Sequence, residues 1–145
     1  MRGMGQRDDA AELEWENQES LKNPLHAQMG LRILEHGPHT IVTMELTDAV
    51  RGATDGSVHG GMLATLADVA SAVAVWGAYD PDTELPVTTD LHIRYYRQPL
   101  AGPLTARAEL VHKGRRILSC ECAVEDAQSR VLARSTATYM VVPQR

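Results

Sequence analysis

A chain of 145 residues with 43% hydrophobic residues is long enough for one domain with a real core. Phe is absent, so Leu, Val, Ile, Met and Ala must fill that core. The formal net charge of -5 excludes a general nucleic-acid binder, while leaving room for a local basic pocket facing a phosphorylated ligand.

The first eight residues, rich in Gly and Arg, are expected to be a flexible tail. From Asp9 to Lys22 the pattern predicts a short helix with acidic early turns. Leu13, Trp15 and Leu21 are its only large apolar residues, which places it on the surface of the fold. Asn23-Pro24 ends it, and a second short turn or helix covers Leu25 to Met29. The expected division is therefore 1–22, tail and short helix, and 23–145, the domain proper. No apolar stretch of signal-peptide type stands at the N-terminus, and a cytoplasmic protein is the expectation.

Gly30 opens a strand pattern, LRILE, and Gly37-Pro38 signals a turn. His39 to Thr47 alternates, with Val42, Met44 and Leu46 on one face, and reads as a half-buried antiparallel strand. A polar, glycine-containing loop, DAVRGATDGSV, follows.

His59 to Tyr79, HGGMLATLADVASAVAVWGAY, is apolar on nearly every side and predicts a buried helix. It reads as too short and too alanine-rich for a membrane span, and its acid argues against that too. Only Thr65, Asp68 and Ser71 are clearly polar within it. An isolated carboxylate in a buried helix is costly unless paired, so Asp68 is the first residue to question.

Four strands follow. Val87 to Arg97 alternates, with Thr89, Leu91, Ile93 and Tyr95 on one side. Leu104 to Leu110 and Leu118 to Val124 alternate about a hairpin tip at Lys113-Gly114-Arg115. A last strand runs from Val131 to Val142. Cys120 and Cys122 share one face of a strand and are poorly placed for a disulfide, which suits a reducing compartment. The order of elements predicts α+β: one antiparallel sheet curled around one apolar helix. No second long helix covers the sheet's other face, and a bare apolar face there would favour oligomerisation.

That order, together with VHGGMLATLADVAS, resembles the hotdog-fold acyl-CoA thioesterases, specifically the phenylacetate-pathway (PaaI-type) branch. The match spans about Leu25 to Val142. Its HGG-x5-LAD spacing is the specific part, and TTDLHIRYYRQPLAGPL and HKGRR resemble the family's next strand and hairpin. The resemblance implies the hotdog fold for 23–145. It implies hydrolysis of an acyl- or aryl-acyl-CoA to the free acid and CoA, with no cofactor.

It also implies roles at matching positions. The Gly60 N–H would polarise the thioester carbonyl, as a bare donor at a helix N-terminus can. Gly61 beside it lets a ligand approach closely. Asp68 would be nucleophile or general base, two routes that the sequence leaves open. His59 would orient the site or simply cap the helix. Thr88 falls where relatives carry a hydroxyl residue, with Thr89 the weaker candidate. Relatives often carry Asn or Gln six residues before the His; here that position is Ala53, with Thr54 or Asp55 as candidate substitutes. Arg94, Arg97, Lys113, Arg115 and Arg116 form basic islands suited to coenzyme A phosphates, the 113–116 hairpin above all. Met62, Trp76 and Tyr79 are candidates for an acyl-pocket wall or for the core. No histidine spacing indicates a metal.

Gly60 and Asp68 stand eight residues apart, about 12 Å along a helix. One carbonyl does not easily touch both from the same chain. The expectation is a homodimer as the active unit, as in the hotdog family, and a homotetramer as the assembly. No nucleic acid or membrane partner is expected. The alternatives are an acyl-CoA-binding hotdog protein without catalysis, which Ala53 favours, and a dehydratase or hydratase, whose His and acid arrangement is not found here.

Overall fold

The computed structural model describes residues 9–145; the expected flexible tail lies outside the described residues. Helix α1 (Asp9–Leu21) and short helix α2 (Pro24–Gln28) precede a hairpin of β1 (Arg32–Glu35) and β2 (His39–Met44). After a loop comes the long helix α3 (Gly60–Val75), extended by one 3₁₀ turn over Trp76–Ala78. Strands β3 (Glu84–Tyr95), β4 (Leu104–Lys113), β5 (Ile117–Glu125) and β6 (Val131–Pro143) complete the chain. The six strands form one antiparallel sheet in the order β1-β2-β4-β5-β6-β3.

The sheet curls around α3, as the order of elements predicts. Leu63, Leu66, Ala67, Ala70, Val73 and Ala74 of α3 are buried. They pack on the inward-facing residues of the strands, among them Val42, Met44, Ala106, Leu118, Cys120 and Ala137. Small alanines let the helix sit close to the sheet without large aromatics, which is how a core without Phe closes. Gly60–Ala78 is in fact long and apolar enough to cross a membrane by length and composition alone, contrary to the reading that it is too short. The strands wrapped around it account for that apolarity.

Element ends differ from the periodicity where long-range bonds intervene. β2 stops at Met44 because the next amide, Glu45 N–H, donates to Met29 O and leaves the ladder. β3 starts at Glu84 and runs through Pro86, which an edge strand tolerates because one side of it needs no donors. A β-bulge interrupts β3 between Thr88 and Asp90, where Thr88 pairs with Tyr139 and Asp90 with Thr138. A bulge inserts one residue and resets which side chains face which way. The sheet's outer face is apolar at one end, where Val87, Met140 and Ile117 are exposed on neighbouring strands, and polar over the rest. It carries Arg94, Arg107, Glu109, Glu121, Arg134 and Thr136.

Helix α1 holds to the fold by polar contacts and by Leu13, which packs partly buried against the core. Its buried residues are Glu16 and Asn17, not the apolar ones. The Asn17 side chain accepts from Ile33 N–H at 2.7 Å and donates to Ile33 O at 2.9 Å. That amide supplies what a further strand would give β1, which is a sheet edge. Asn17→Ala strands both Ile33 groups. The expected loss is about 1–3 kcal/mol, read as a lower urea midpoint with an unchanged slope. A midpoint equal to wild type would show that the tether carries no weight.

Candidate active site

The start of α3 leaves one backbone donor open. The first N–H groups of a helix lack intrahelical partners and must be met otherwise. His59 is the N-cap, and its Nδ1 accepts from Gly61 N–H at 3.0 Å. Its carbonyl accepts from Met62 and Leu63 N–H. Among the described residues, no protein group accepts from the Gly60 N–H. His59 thus acts as a cap, with Nδ1 as acceptor and the proton on Nε2.

Several bonds fix that opening. His59 N–H donates to Val50 O, Arg51 and Val58 form a bridge, and Val58 N–H donates to the Gln98 side chain at 2.9 Å. Tyr95 donates its hydroxyl to Gly60 O at 2.8 Å. A Cβ on Gly60 would meet the Tyr95 ring only at ordinary contact distance, 3.5 Å. Ala53, Thr54 and Asp55 lie exposed in the preceding loop.

Asp68 sits two turns further on, half-buried on the open side of α3. Its Oδ1 accepts from the Tyr139 hydroxyl at 2.8 Å and from Thr88 Oγ1 at 3.1 Å. The Tyr139 oxygen also lies 2.9 Å from the Asp68 carbonyl. Tyr139 is 1% exposed. Burial and the neighbouring carboxylate push its pKa far above the usual tyrosine range, so it stays a protonated donor. The bulge explains Thr88. Strict alternation from Leu91, Ile93 and Tyr95 would turn Thr88 outward, and the extra residue turns it back to face Asp68 beside Tyr139. Thr89 instead donates to Thr138 O at 3.2 Å, away from the carboxylate.

The structure therefore brings together Asp68 and Thr88, adds Tyr139, and sets His59, Gly60 and Gly61 at the start of the same helix. Arg94 is not among them: it lies on the outer sheet face, in a trough of about 500 Å³ with Arg107 and Arg134. Arg97 is exposed beyond β3. Lys113, the last residue of β4, and Arg115 and Arg116, on the turn to β5, are exposed at the end of the sheet near Asp68. Leu118 pairs with Tyr139, and Arg116 O accepts from Val141 N–H. Gly114 is required there, because a Cβ would come within 2.8 Å of Ile117 O.

Trp76 and Tyr79 line a cavity between α1 and α3, which Met62 does not. Cys120 and Cys122 are free and buried, and burial pushes their thiols up to about 11 and about 12, outside the range of a working nucleophile. Histidine spacing gave no hint of Glu12, Glu16 and His36, whose donor atoms lie within 4.8 Å of one another. Glu16 Oε1 and His36 Nδ1 pair directly at 3.0 Å.

Sequence reasoning missed Tyr139, Tyr95 and Gln98. The available signal was weak: a buried Tyr on an alternating strand needs a partner for its hydroxyl, but the pattern names none.

Residues 55–133 match the family model described as the thioesterase superfamily. A protein of Deinococcus radiodurans named as an esterase is 26% identical over 133 residues, covering 92% of this chain and 83% of its own. The 1,4-dihydroxy-2-naphthoyl-CoA hydrolase of Listeria monocytogenes is 28% identical over 105 residues, covering 72% of this chain and 84% of its own. A thioesterase of Haemophilus influenzae superposes with a TM-score of 0.82 at 23% identity, covering 90% of each chain, and so shares the hotdog fold. With the family model spanning more than half of its length, the chain belongs to the thioesterase superfamily, and its class of chemistry is thioester hydrolysis.

Proposed function

We propose that the protein hydrolyses an acyl- or aryl-acyl-CoA thioester to the free acid and CoA, as a member of the PaaI-type branch. The observation that carries this reading is the Asp68 carboxylate held by Tyr139 and Thr88 on the helix whose start leaves the Gly60 N–H open. Gly60 N–H is a preorganised donor for the carbonyl oxygen as it takes up negative charge. Asp68 either attacks the carbonyl carbon or takes a proton from the attacking water. In the first route the C–S bond breaks as an Asp68–acyl anhydride forms, the CoA thiolate takes a proton from water, and a second water opens the anhydride to the free acid; in the second, water adds to the carbonyl, the C–S bond breaks, and the proton taken by Asp68 passes to the CoA sulfur. Thr88 and Tyr139 are positioning residues, since each acts through the carboxylate.

The two halves come from different subunits. Eight residues of helix separate Gly60 from Asp68 by about 12 Å, so one carbonyl meets Gly60 of one protomer and Asp68 of the partner subunit. Strand β3 supports such a dimer. It is a sheet edge twelve residues long, with Leu85, Val87 and Tyr95 exposed. A second association of dimers gives the tetramer. Lys113, Arg115 and Arg116 offer charge to the coenzyme A phosphates from the turn near Asp68. Arg94, on the other face, is left out of that role. The Listeria relative, named for an aryl-CoA substrate, supports the aryl side of the reading. Binding without cleavage is favoured only by Ala53, where relatives often carry an amide.

Asp68→Asn is expected to lower kcat by about 10²- to 10⁴-fold, with released thiol as the readout. Wild-type turnover in that variant would remove the mechanism, and CoA-ester binding without thiol release in the wild type would favour the binding module. Tyr139→Phe, in a protein that still folds, is expected to lower kcat about tenfold with KM little changed. An unaltered kcat would reduce Tyr139 to a packing residue.

Subunit sharing has its own test. Proline is tolerated at the first position of a helix, so Gly60→Pro removes the donor while keeping α3. Alone, Gly60→Pro and Asp68→Asn are each expected to be nearly inactive. Co-refolded, they form mixed dimers with one intact site, and about a quarter of wild-type activity returns. A mixture no more active than its components would mean that each site is built within one chain.

A further inference from the structure

Strand β3 holds both halves of the site. Thr88 donates to the Asp68 carboxylate at 3.1 Å, and Tyr95, the last residue of the strand, donates to Gly60 O at 2.8 Å. Pairing with β6 gives their spacing. Thr88 pairs with Tyr139, His92 with Thr136 and Tyr95 with Ala133. The bulge between Thr88 and Asp90 absorbs one residue of β3. Measured on β6, Thr88 and Tyr95 therefore stand three ladder steps either side of His92. The acid and the open donor of each chain are thus tied to points equally far from one residue.

The outer face of the same strand carries charges without partners. Arg94 stands directly opposite Arg134 on β6, and like charges so placed repel. Among the described residues, Asp90, Arg94 and Arg134 form no ion pair. Asp90 and Arg94 are exposed and lie two residues either side of His92, so all three share the outer face. On the inner face Leu91 and Ile93, one residue either side of His92, are only partly buried against the core. β3 is a sheet edge, with no strand beyond it. Acid and base, apolar and apolar, Thr88 and Tyr95: each feature of this edge has its complement at the same distance across His92.

We propose that β3 pairs antiparallel with β3 of a second copy in one register, with His92 on the two-fold axis, and that Asp90 and Arg94 form the ion pairs that set it. Arg94 then lies opposite Asp90 of the partner subunit, and Leu91 opposite the partner's Ile93. Each Arg94 gains a carboxylate on the side away from Arg134, which offsets that repulsion. Moving the axis to Ile93 sets Arg94 opposite the partner's His92, and moving it to Leu91 sets Asp90 there; both ion pairs are lost in either case. The chosen register also brings Tyr95 level with the partner's Thr88. Gly60, held by Tyr95, then stands level with the partner's Asp68, held by that Thr88. The roles of Gly60 and Asp68 rest on the thioesterase reading above; the register rests on β3 alone.

Single cysteines on the outer face read the register, since Cys120 and Cys122 are buried. His92→Cys meets its own copy on the axis and is expected to give a disulfide-linked dimer on mild oxidation. Asp90→Cys and Arg94→Cys, each about 14 Å along the strand from its own copy, are expected to stay unlinked alone and to link when combined in one chain. A nitroxide on each single cysteine covers the case in which the disulfide angle is poor. The strongest dipolar broadening is expected at position 92. Linkage or broadening strongest at 90 or 94, or a monomer throughout, overturns the register.

Charge reversal reads the ion pairs. Arg94→Asp and Asp90→Arg each set like charges opposite one another twice in the dimer. Each is expected to speed subunit exchange between differently labelled dimers about tenfold at low salt. Both together restore opposite charges, and exchange is expected to return to within about threefold of wild type. A double variant no slower than the single ones overturns the Asp90–Arg94 pairing. None of these measurements needs a substrate. A protein that links at position 92 yet cleaves no CoA ester keeps the register and loses only the thioesterase reading. One that cleaves esters while linking at 90 or 94 keeps that reading and loses the register.

Discussion

The bond pattern on one carboxylate organises the site. Asp68 is the only acid on a helix otherwise given to burial, and its Oδ1 collects hydroxyl donors from two different strands, Tyr139 on β6 and Thr88 on β3. These strands are neighbours at one end of the sheet. The two bonds therefore fix the helix against the sheet and hold the carboxylate in one direction at the same time. An acid without them would rotate freely on a half-open surface, or would be strongly disfavoured if buried. Tyr139 is well suited to this because its own burial keeps it protonated.

The helix start shows the complementary economy. Three of the early backbone donors are met by His59, one by its ring and two by its carbonyl. What remains, among the described residues, is a single open N–H on a residue with no side chain to block approach. The loop before it is held at Val50, Arg51, Val58 and Gln98, so this donor points in a fixed direction without any ligand. Preorganisation of that kind is what makes a backbone donor effective against developing negative charge. The rigid helix then sets the distance between donor and acid, about 12 Å, and the proposed dimer is argued from that distance.

Much of this was legible in the residues. The helix betrayed itself by continuous apolarity, the strands by alternation, and Asp68 by standing alone among Ala, Leu and Val. The hotdog fold was implied by a family resemblance that the order of elements and the HGG-x5-LAD spacing carry. What the sequence hid was set by contacts far apart in the chain. Tyr139 is 71 residues from Asp68, and nothing local distinguishes it from a core tyrosine. The bulge at Thr88–Asp90 was hidden for a related reason. Alternation reads smoothly through it, and only the pairing with β6 shows that the face has switched. Arg94 was grouped with the basic islands by charge, which does not say which face of a strand it decorates; it lies with Arg107 and Arg134 on the outer face.

Helix α1 makes the same point from the other side. Its apolar residues are few, so periodicity consigned it to the surface, yet consecutive polar residues do two unrelated jobs. Asn17 completes the hydrogen bonding of the β1 edge, and Glu16, one residue earlier, turns toward the cavity against α3. Adjacent residues on a helix diverge by about 100°, so one helix can anchor on a strand and still wall a pocket. Anchoring through an amide adds a directional constraint to the apolar contact that Leu13 makes with the core. It fixes the rotation of α1 by hydrogen-bond geometry, which is directional, where hydrophobic packing is not. A carboxyl carried on so fixed a helix is held at one depth beside the acid-bearing face of α3.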